Sequence, residues 1–390
     1  MWLLKCVENG IYQQFKEQLQ NPVLKISGRK IAVWGAGVRG ILTGMILQEL
    51  GNRNFVYIDS DAEKLGKQLN GHEIVSFAEV SLDDTVFILS MEYQDEVKKM
   101  LLKQRVSEKQ IVALHSDEYD KMMSRLMKTK EEKVLVLGES ICDIVPVEEL
   151  GQKSLAEYVE EMSKTNLKLL SMSCLGMELF FYLMELELYL NHSCRELLLL
   201  MDFRTLTSYN HRLPRVQKPD FTMKLKEYAE NIGAKSIAIQ LEESYQIRKQ
   251  RAEDYTLENK YSPNRTGNDF TVWMKQYLDN SIMEELKPEY EEIVWLNKIL
   301  DTASRRNIKT KLILQPINKE LCSEIYGEKF ESRYREKKRT LEKLASNYGA
   351  MCIDAGELLP SDQFVVGNTP NDALYTQGRQ QFARFIIDAL

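Results

Sequence analysis

The chain has no Cys-x-x-Cys pair, although it carries six cysteines: Cys6, Cys142, Cys174, Cys194, Cys322 and Cys352. Zinc-type ligand spacing is thereby excluded. Several of these thiols lie inside apolar runs, where cysteine behaves as a small hydrophobe, and a reducing, cytoplasmic compartment is expected. Histidine is scarce: His72, His115, His192 and His211 are all there are, and none lies near the C-terminus. No apolar run reaches the roughly 20 residues that a membrane helix needs. The richest stretch, residues 167–203, is broken by Glu178, Glu185, Glu187, Asn191, Arg195 and Glu196. The start, Met1-Trp-Leu-Leu-Lys-Cys-Val, is too short and too soon charged for a signal peptide. A positive balance is also lacking. The net charge of −6 argues against nucleic acid as a partner, and runs such as Arg335-Glu-Lys-Lys-Arg339 read as solvated helix faces. Repeats and low-complexity tracts are absent.

What remains is an ordinary globular composition, 44% apolar and 28% charged over 390 residues, long enough for two domains. Residues 1–27 read as a helical lead-in, with Tyr12, Phe15 and Leu19 at helical spacing and Pro22 ending it. From Lys30 strands and helices alternate: strands at Ile31–Trp34, Phe55–Ile58, Thr85–Leu89 and Ile111–Leu114, helices after Gly40 and over Asp95–Gln104. A charged helical linker follows at 119–132. The alternation restarts at Val134–Leu137 and continues through Leu167–Leu170, Glu196–Met201, Ser236–Ile239, Lys311–Leu314 and Met351–Ile353. Helices are expected at Met177–Leu190, Glu289–Arg306 and Ser332–Tyr348. Residues 241–284 have no clear period and read as a cap or insertion. This alternation predicts an α/β class with two doubly wound parallel sheets, over 28–118 and 133–390.

Gly35-Ala-Gly37-Val-Arg39-Gly40 lies between a strand and a helix. In that setting the first glycine permits the tight turn, the second lets a phosphate approach the backbone, and the third lets helix and strand pack closely. The helix start then offers N–H groups to an anion. Asp59, at the tip of the next strand, stands where an acid holds a ribose diol, and Arg39 is placed to assist a phosphate or to cover the surface. Ala32-Val-Trp-Gly-Ala-Gly37, Ile58-Asp-Ser-Asp61, Lys64-Leu-Gly-Lys67 and Gly71-His-Glu-Ile-Val-Ser76 together resemble the small Rossmann domains of bacterial surface-polysaccharide enzymes, including those that begin some sugar acetyltransferases. The resemblance implies a nucleotide or nucleotide-sugar ligand. The unit reads as one mononucleotide half, which weighs against a nicotinamide-dependent oxidoreductase built on Gly35, Gly37, Gly40 and Asp59.

The second half turns on Lys133-Val-Leu-Val-Leu-Gly-Glu-Ser140, an apolar strand that delivers a serine to its tip, where ligands bind in open α/β sheets. Four blocks in order resemble the SGNH (GDSL) hydrolases, especially the branch of polysaccharide O-acetylation and teichoic-acid D-alanylation proteins. Gly138-Glu-Ser140 matches the nucleophile block, with Glu139 in place of Asp. Ser171-Met-Ser-Cys-Leu-Gly176 matches the block whose glycine N–H helps form an oxyanion hole. Leu199-Leu-Met-Asp-Phe-Arg204 stands where the family has asparagine, and offers Asp202. The stretch from Asp354 to Ala383 matches the closing block, in which Asp-x-x-His is expected; here it reads Asp372-Ala-Leu-Tyr375. The resemblance thus implies Ser140, Gly176, Asp202, Asp372 and Tyr375 as the catalytic set, without its histidine. Tyrosine titrates near pH ~10 and is a poor base at neutrality. His211 approaches the sheet tip only if its loop folds back. The alternative for Ser140 is a hydroxyl capping the following helix. Glu242/Glu243 and Glu291/Glu292 are neighbours that point apart and form no catalytic couple.

Three functions remain open. One is an SGNH-like carbohydrate O-acyl esterase or transferase of impaired activity in bacterial surface-polysaccharide biosynthesis. A second is a non-catalytic nucleotide-sugar or carbohydrate binder, or a scaffold for enzymes of that pathway. The third is the oxidoreductase. No metal is expected.

Overall fold

The computed structural model describes residues 6–25, 29–90, 94–115, 134–163, 167–171, 179–189, 194–207, 219–258, 270–366, 370–371 and 373–390. The chain divides into two compact units, one made of residues 9–118 and the other of 1–8 with 119–390. The expected linker falls wholly outside the described residues. No helix among the described residues is long and apolar enough to cross a membrane.

Strand β1 (Cys6–Glu8) belongs to the C-terminal unit, where it pairs antiparallel with Ile144–Pro146. Helix α1 (Asn9–Lys25) begins the N-terminal unit. It runs three residues past Pro22, which was expected to end it. A proline removes one helical hydrogen bond, but the stripe of Ile11, Tyr12, Phe15 and Leu19 is already buried and holds the helix. There follow β2 (Lys30–Trp34), α2 (Val38–Glu49), β3 (Phe55–Ile58), the short β4 (Gln68–Leu69), β5 (His72–Val75), β6 (Thr85–Leu89), α3 (Gln94–Lys103) and β7 (Ile111–Ala113). The sheet order is β4-β5-β3-β2-β6-β7, parallel except for the β4–β5 pair. Its parallel strands therefore lie 3-2-1-4-5 in chain order. The chain crosses to the far side of β2 after β5, so the sheet extends beyond the single mononucleotide half expected, and its switch point is β2/β6.

The C-terminal unit contains β8 (Val134–Gly138), β9 (Ile144–Pro146), α4 (Leu155–Met162), β10 (Leu167–Ser171), α5 (Leu179–Tyr189), β11 (Glu196–Met201), α6 (Pro219–Asn231), α7 (Lys235–Glu258), α8 (Phe270–Asp279), α9 (Glu291–Arg305), β12 (Lys309–Leu314), α10 (Lys319–Tyr326), α11 (Glu328–Ser346), β13 (Met351–Asp354) and α12 (Thr376–Asp388). The main sheet is wholly parallel, in the order β10-β8-β11-β12-β13. In chain order that is 2-1-3-4-5, the flavodoxin-like winding, with its switch point at β8/β11. Alternate strand residues feed opposite faces. Leu135, Leu137, Leu199, Met201 and Leu312 pack under α5–α9 and α11, while Val136, Leu198, Leu200 and Ile313 pack against α4 and α12. Both faces are covered, and so the strands read as continuous apolar runs.

Ser236–Ile239 is not a strand but the first turn of α7. A four-residue apolar run does not distinguish strand from buried helix. Here Gly233, at φ +78°, ends α6 in a paired turn, with Ala234 N–H donating to Ala229 O and Gly233 N–H to Glu230 O. Such a stop reverses the chain into a second helix. Of the region 241–284, expected to be an aperiodic cap, the described residues lie mostly in α7 and α8.

The helical phase makes a prediction. Ile237 is buried, whereas Ile239 is 61% exposed; a strand would place both on one face. Ile237→Glu should destabilise the C-terminal unit by roughly 2–4 kcal/mol through an unpaired buried charge, and Ile239→Glu should stay within about 0.5 kcal/mol of wild type. Denaturant unfolding decides, and equal effects would favour the strand.

Candidate functional site

In the N-terminal unit the glycine turn joins β2 to α2. Gly35 adopts φ +95°, a left-handed conformation that a side chain disfavours, and its N–H donates to Ile58 O at 2.7 Å. A Cβ on Gly40 would lie 1.7 Å from the Gly35 carbonyl oxygen, so this glycine is what lets α2 approach the turn. A Cβ on Gly37 would meet nothing within 4 Å. Gly37 is exposed and occupies the N-cap of α2 with no side-chain cap, so the space in front of the helix start is open. Arg39 lies half-buried in the first turn of α2, where its carbonyl accepts from Thr43 Oγ1.

Asp59 stands at the tip of β3, but its carboxylate is already engaged. Oδ2 accepts from Ala36 N–H and from Lys64 Nζ, both at 2.9 Å, and Oδ1 accepts from Asp61 N–H at 3.0 Å. Burial alone would raise its pKa; these hydrogen bonds and the Lys64 charge outweigh it and hold the carboxyl below its usual value. Asp59 braces the turn through Ala36.

In the C-terminal unit, Glu139 and Ser140 follow β8, and Asp202 and Arg204 follow β11, so the residues meet at the switch point. All four are buried. The Arg204 guanidinium lies 3.0 Å from Glu139 Oε2 and 3.4 Å from Asp202 Oδ2. Asp202 Oδ1 accepts from Thr205 N–H and Oγ1, and Oδ2 from Asn371 Nδ2 at 2.7 Å. Asn371 Oδ1 in turn accepts from the Tyr277 hydroxyl at 2.9 Å, so α8 is tied to the strand tips.

Ser140 begins a short 3-10 turn, Ser140–Cys142, whose N-cap is Glu139; the chain then enters β9. It does not cap a helix. Its Oγ is buried and has no hydrogen-bond partner among the described residues. The Tyr182 hydroxyl and both carboxyl oxygens of Glu185, on α5, are buried without partners as well. Burial first, and then the nearby Glu139, Cys142, Glu185 and Asp202, push the Tyr182 hydroxyl well above its ordinary pKa. Burial alone does the same to the Glu185 carboxyl, disfavouring its charged form.

Tyr375 caps α12, and its hydroxyl donates to Glu148 Oε1 at 3.1 Å, not to Ser140. Gly176, Asp372, His192 and His211 lie outside the described residues. The structure thus brings Ser140 and Asp202 to one sheet tip and directs the Tyr375 hydroxyl elsewhere. The Glu139–Arg204–Asp202 network was not anticipated. Its one sequence signal is an arginine two positions after an aspartate at the end of an apolar strand. Tyr277 and Asn371 are too remote in sequence to have given any. No group of three metal-ligating side chains is found among the described residues.

Residues 27–112 match the family model described as C2185-like, N-terminal, a span that includes the glycine turn, Asp59 and Lys64. No curated protein matches the chain.

Two substitutions separate structural from chemical roles. Ser140→Ala removes a buried hydroxyl without a partner and should change stability by less than about 1 kcal/mol or raise it. Arg204→Met leaves two buried carboxylates without their cation and should cost about 3 kcal/mol or more. Thermal and urea unfolding of both variants provides the check.

Proposed function

We propose that the N-terminal unit binds a nucleotide or nucleotide-sugar at Gly35–Gly40. The C-terminal unit we infer to be an SGNH-like fold that recognises carbohydrate at the β8/β11 tips without hydrolysing it. The observation that carries the first part is the contrast between two glycines of one turn: Gly40 is closed by Gly35, while Gly37 fronts open space at an uncapped helix start. That is the arrangement in which a phosphate reaches backbone N–H groups. The second part rests on Ser140. A serine nucleophile needs a base within hydrogen-bond reach, and its Oγ has no partner among the described residues. Among the described residues, the nearby Glu139 Oε2 and Asp202 Oδ2 face Arg204. The setting we assign is bacterial surface-polysaccharide biosynthesis, in the cytoplasm, beside the enzymes that use such sugar nucleotides.

Calorimetry with a panel of nucleoside diphosphates, sugar nucleotides and NADH tests the first part. Wild type should bind at least one of them, and Gly37→Val, which fills the open space, should weaken that binding at least about tenfold, or 1.4 kcal/mol. A wild type stabilised by none, or a Gly37→Val variant of unchanged affinity, would sink the assignment. For the second part, hydrolysis of small activated acyl esters should be absent or very weak. Vigorous turnover abolished by Ser140→Ala would show that a base reaches the serine.

A further inference from the structure

Helix α11 carries a lysine unlike the others around it. Lys338 pairs with Asp354 at 2.9 Å and Lys343 is exposed, but Lys337 is only 2% exposed. Its Nζ donates to the Ser281 carbonyl at 2.6 Å and lies 5.4 Å from the centre of the Phe203 ring. An ammonium has three N–H donors, and no carboxylate among the described residues forms an ion pair with this one. A buried charge so sparsely solvated is costly, and such a group lowers the cost by losing its proton.

Ser281 belongs to the turn that ends α8, and that turn is fastened to the sheet tip by polar contacts. Tyr277 reaches Asn371 and through it Asp202. Thr207 Oγ1 donates to Asn280 O at 3.2 Å, and Lys337 holds Ser281. The Arg204 guanidinium lies 5.9 Å from the Tyr277 ring centre. The end of α8 is thus attached to the Asp202–Thr207 segment that carries the candidate site; Asp279 also accepts from the Tyr326 hydroxyl on α10, and Lys337 is the tether that donates from a buried amine.

We propose that α8 is an acid-opened lid on the switch-point site, and that protonation of Lys337 is what loosens it. Desolvation is the main influence on the amine. Glu284 beyond α8, Asp202 at the tip of β11 and Glu336 on α11 favour its charge, while Arg333 on α11 opposes it; the balance brings the group down to about 7 from 10.5. With α8 lifted, Lys337 meets water and titrates as an ordinary lysine. As pH falls from about 10.5 towards 7 the open form gains a proton that the closed form does not, so opening is favoured progressively and the effect levels off below about 7. The functional meaning of the lid rests on reading the switch point as a binding site, but the motion itself is detectable without any ligand.

Amide hydrogen exchange of the full chain tests it, read at residues 277–283 against the β12 amides as an internal reference and corrected for intrinsic pH dependence. In wild type the opening of 277–283 should increase at least about tenfold between about pH 9 and pH 6. Lys337→Met removes both the proton and the hydrogen bond; Lys337→Gln removes the proton and keeps a donor. Both should show a pH-independent opening. A wild-type opening that ignores pH overturns the proposal, as does a pH dependence that persists in either variant. Because Lys337 lies outside the glycine turn, such a failure leaves the nucleotide assignment standing.

Discussion

Arg204 lies buried at the end of β11, and a guanidinium in that position is tolerable only with counter-charge. Glu139 comes from the tip of β8 and Asp202 from the tip of β11 itself, so the pairing is satisfied only when these two strands are neighbours. Apolar residues alone would let many sheet orders bury the same area. The ion pair is compatible with few. Asp202 then accepts from Asn371, and Asn371 from Tyr277, extending the constraint from the strand tips to the closing segment and to α8.

The same reasoning sorts the glycines. In the nucleophile-like motif, a Cβ on Gly138 would stand 2.4 Å from Cys142 Sγ and 3.1 Å from Leu200 Cδ1. Packing accounts for that glycine without any appeal to hydrolysis. Gly40 is explained the same way, by the carbonyl of Gly35. Gly37 is not: it is exposed, a Cβ there would meet no described residue within 4 Å, and α2 would gain helix-capping stability from Ser or Asp there. That open cap position is what the nucleotide proposal rests on.

Much of the fold was legible because both sheets are covered on two faces. Val134–Leu137, Glu196–Met201 and Lys311–Leu314 are apolar at every or nearly every position, and runs of that length between turn signals mark buried parallel strands. Ser236–Ile239 shares that look and is helical, because its partner is α6 and not a strand. Strand β1 is not legible in the sequence, since three residues carry no period and its partner β9 lies far along the chain. The site was legible only where it is local. The Gly35–Gly40 turn and Asp59 were visible, although Asp59 braces Ala36 and pairs with Lys64. The Arg204 network draws its members from β8, β11, α8 and the closing segment, and no spacing rule spans such separations.

The charge balance at the β8/β11 tips bears on what the C-terminal unit recognises. In a serine hydrolase a carboxylate orients the base and leaves the nucleophile's oxygen hydrogen-bonded to it. Here Glu139 Oε2 and Asp202 Oδ2 both face Arg204. Among the described residues, the buried groups beside them include the Ser140 and Tyr182 hydroxyls and a Glu185 carboxyl whose charged form burial disfavours. A charged ligand brought among them would be desolvated with no opposite charge to meet, which is expensive. A neutral ligand rich in hydroxyls exchanges donors and acceptors with such groups at little electrostatic cost. The carbohydrate proposal for this unit rests on those hydroxyls and that carboxyl, and the nucleotide proposal rests separately on the glycine turn.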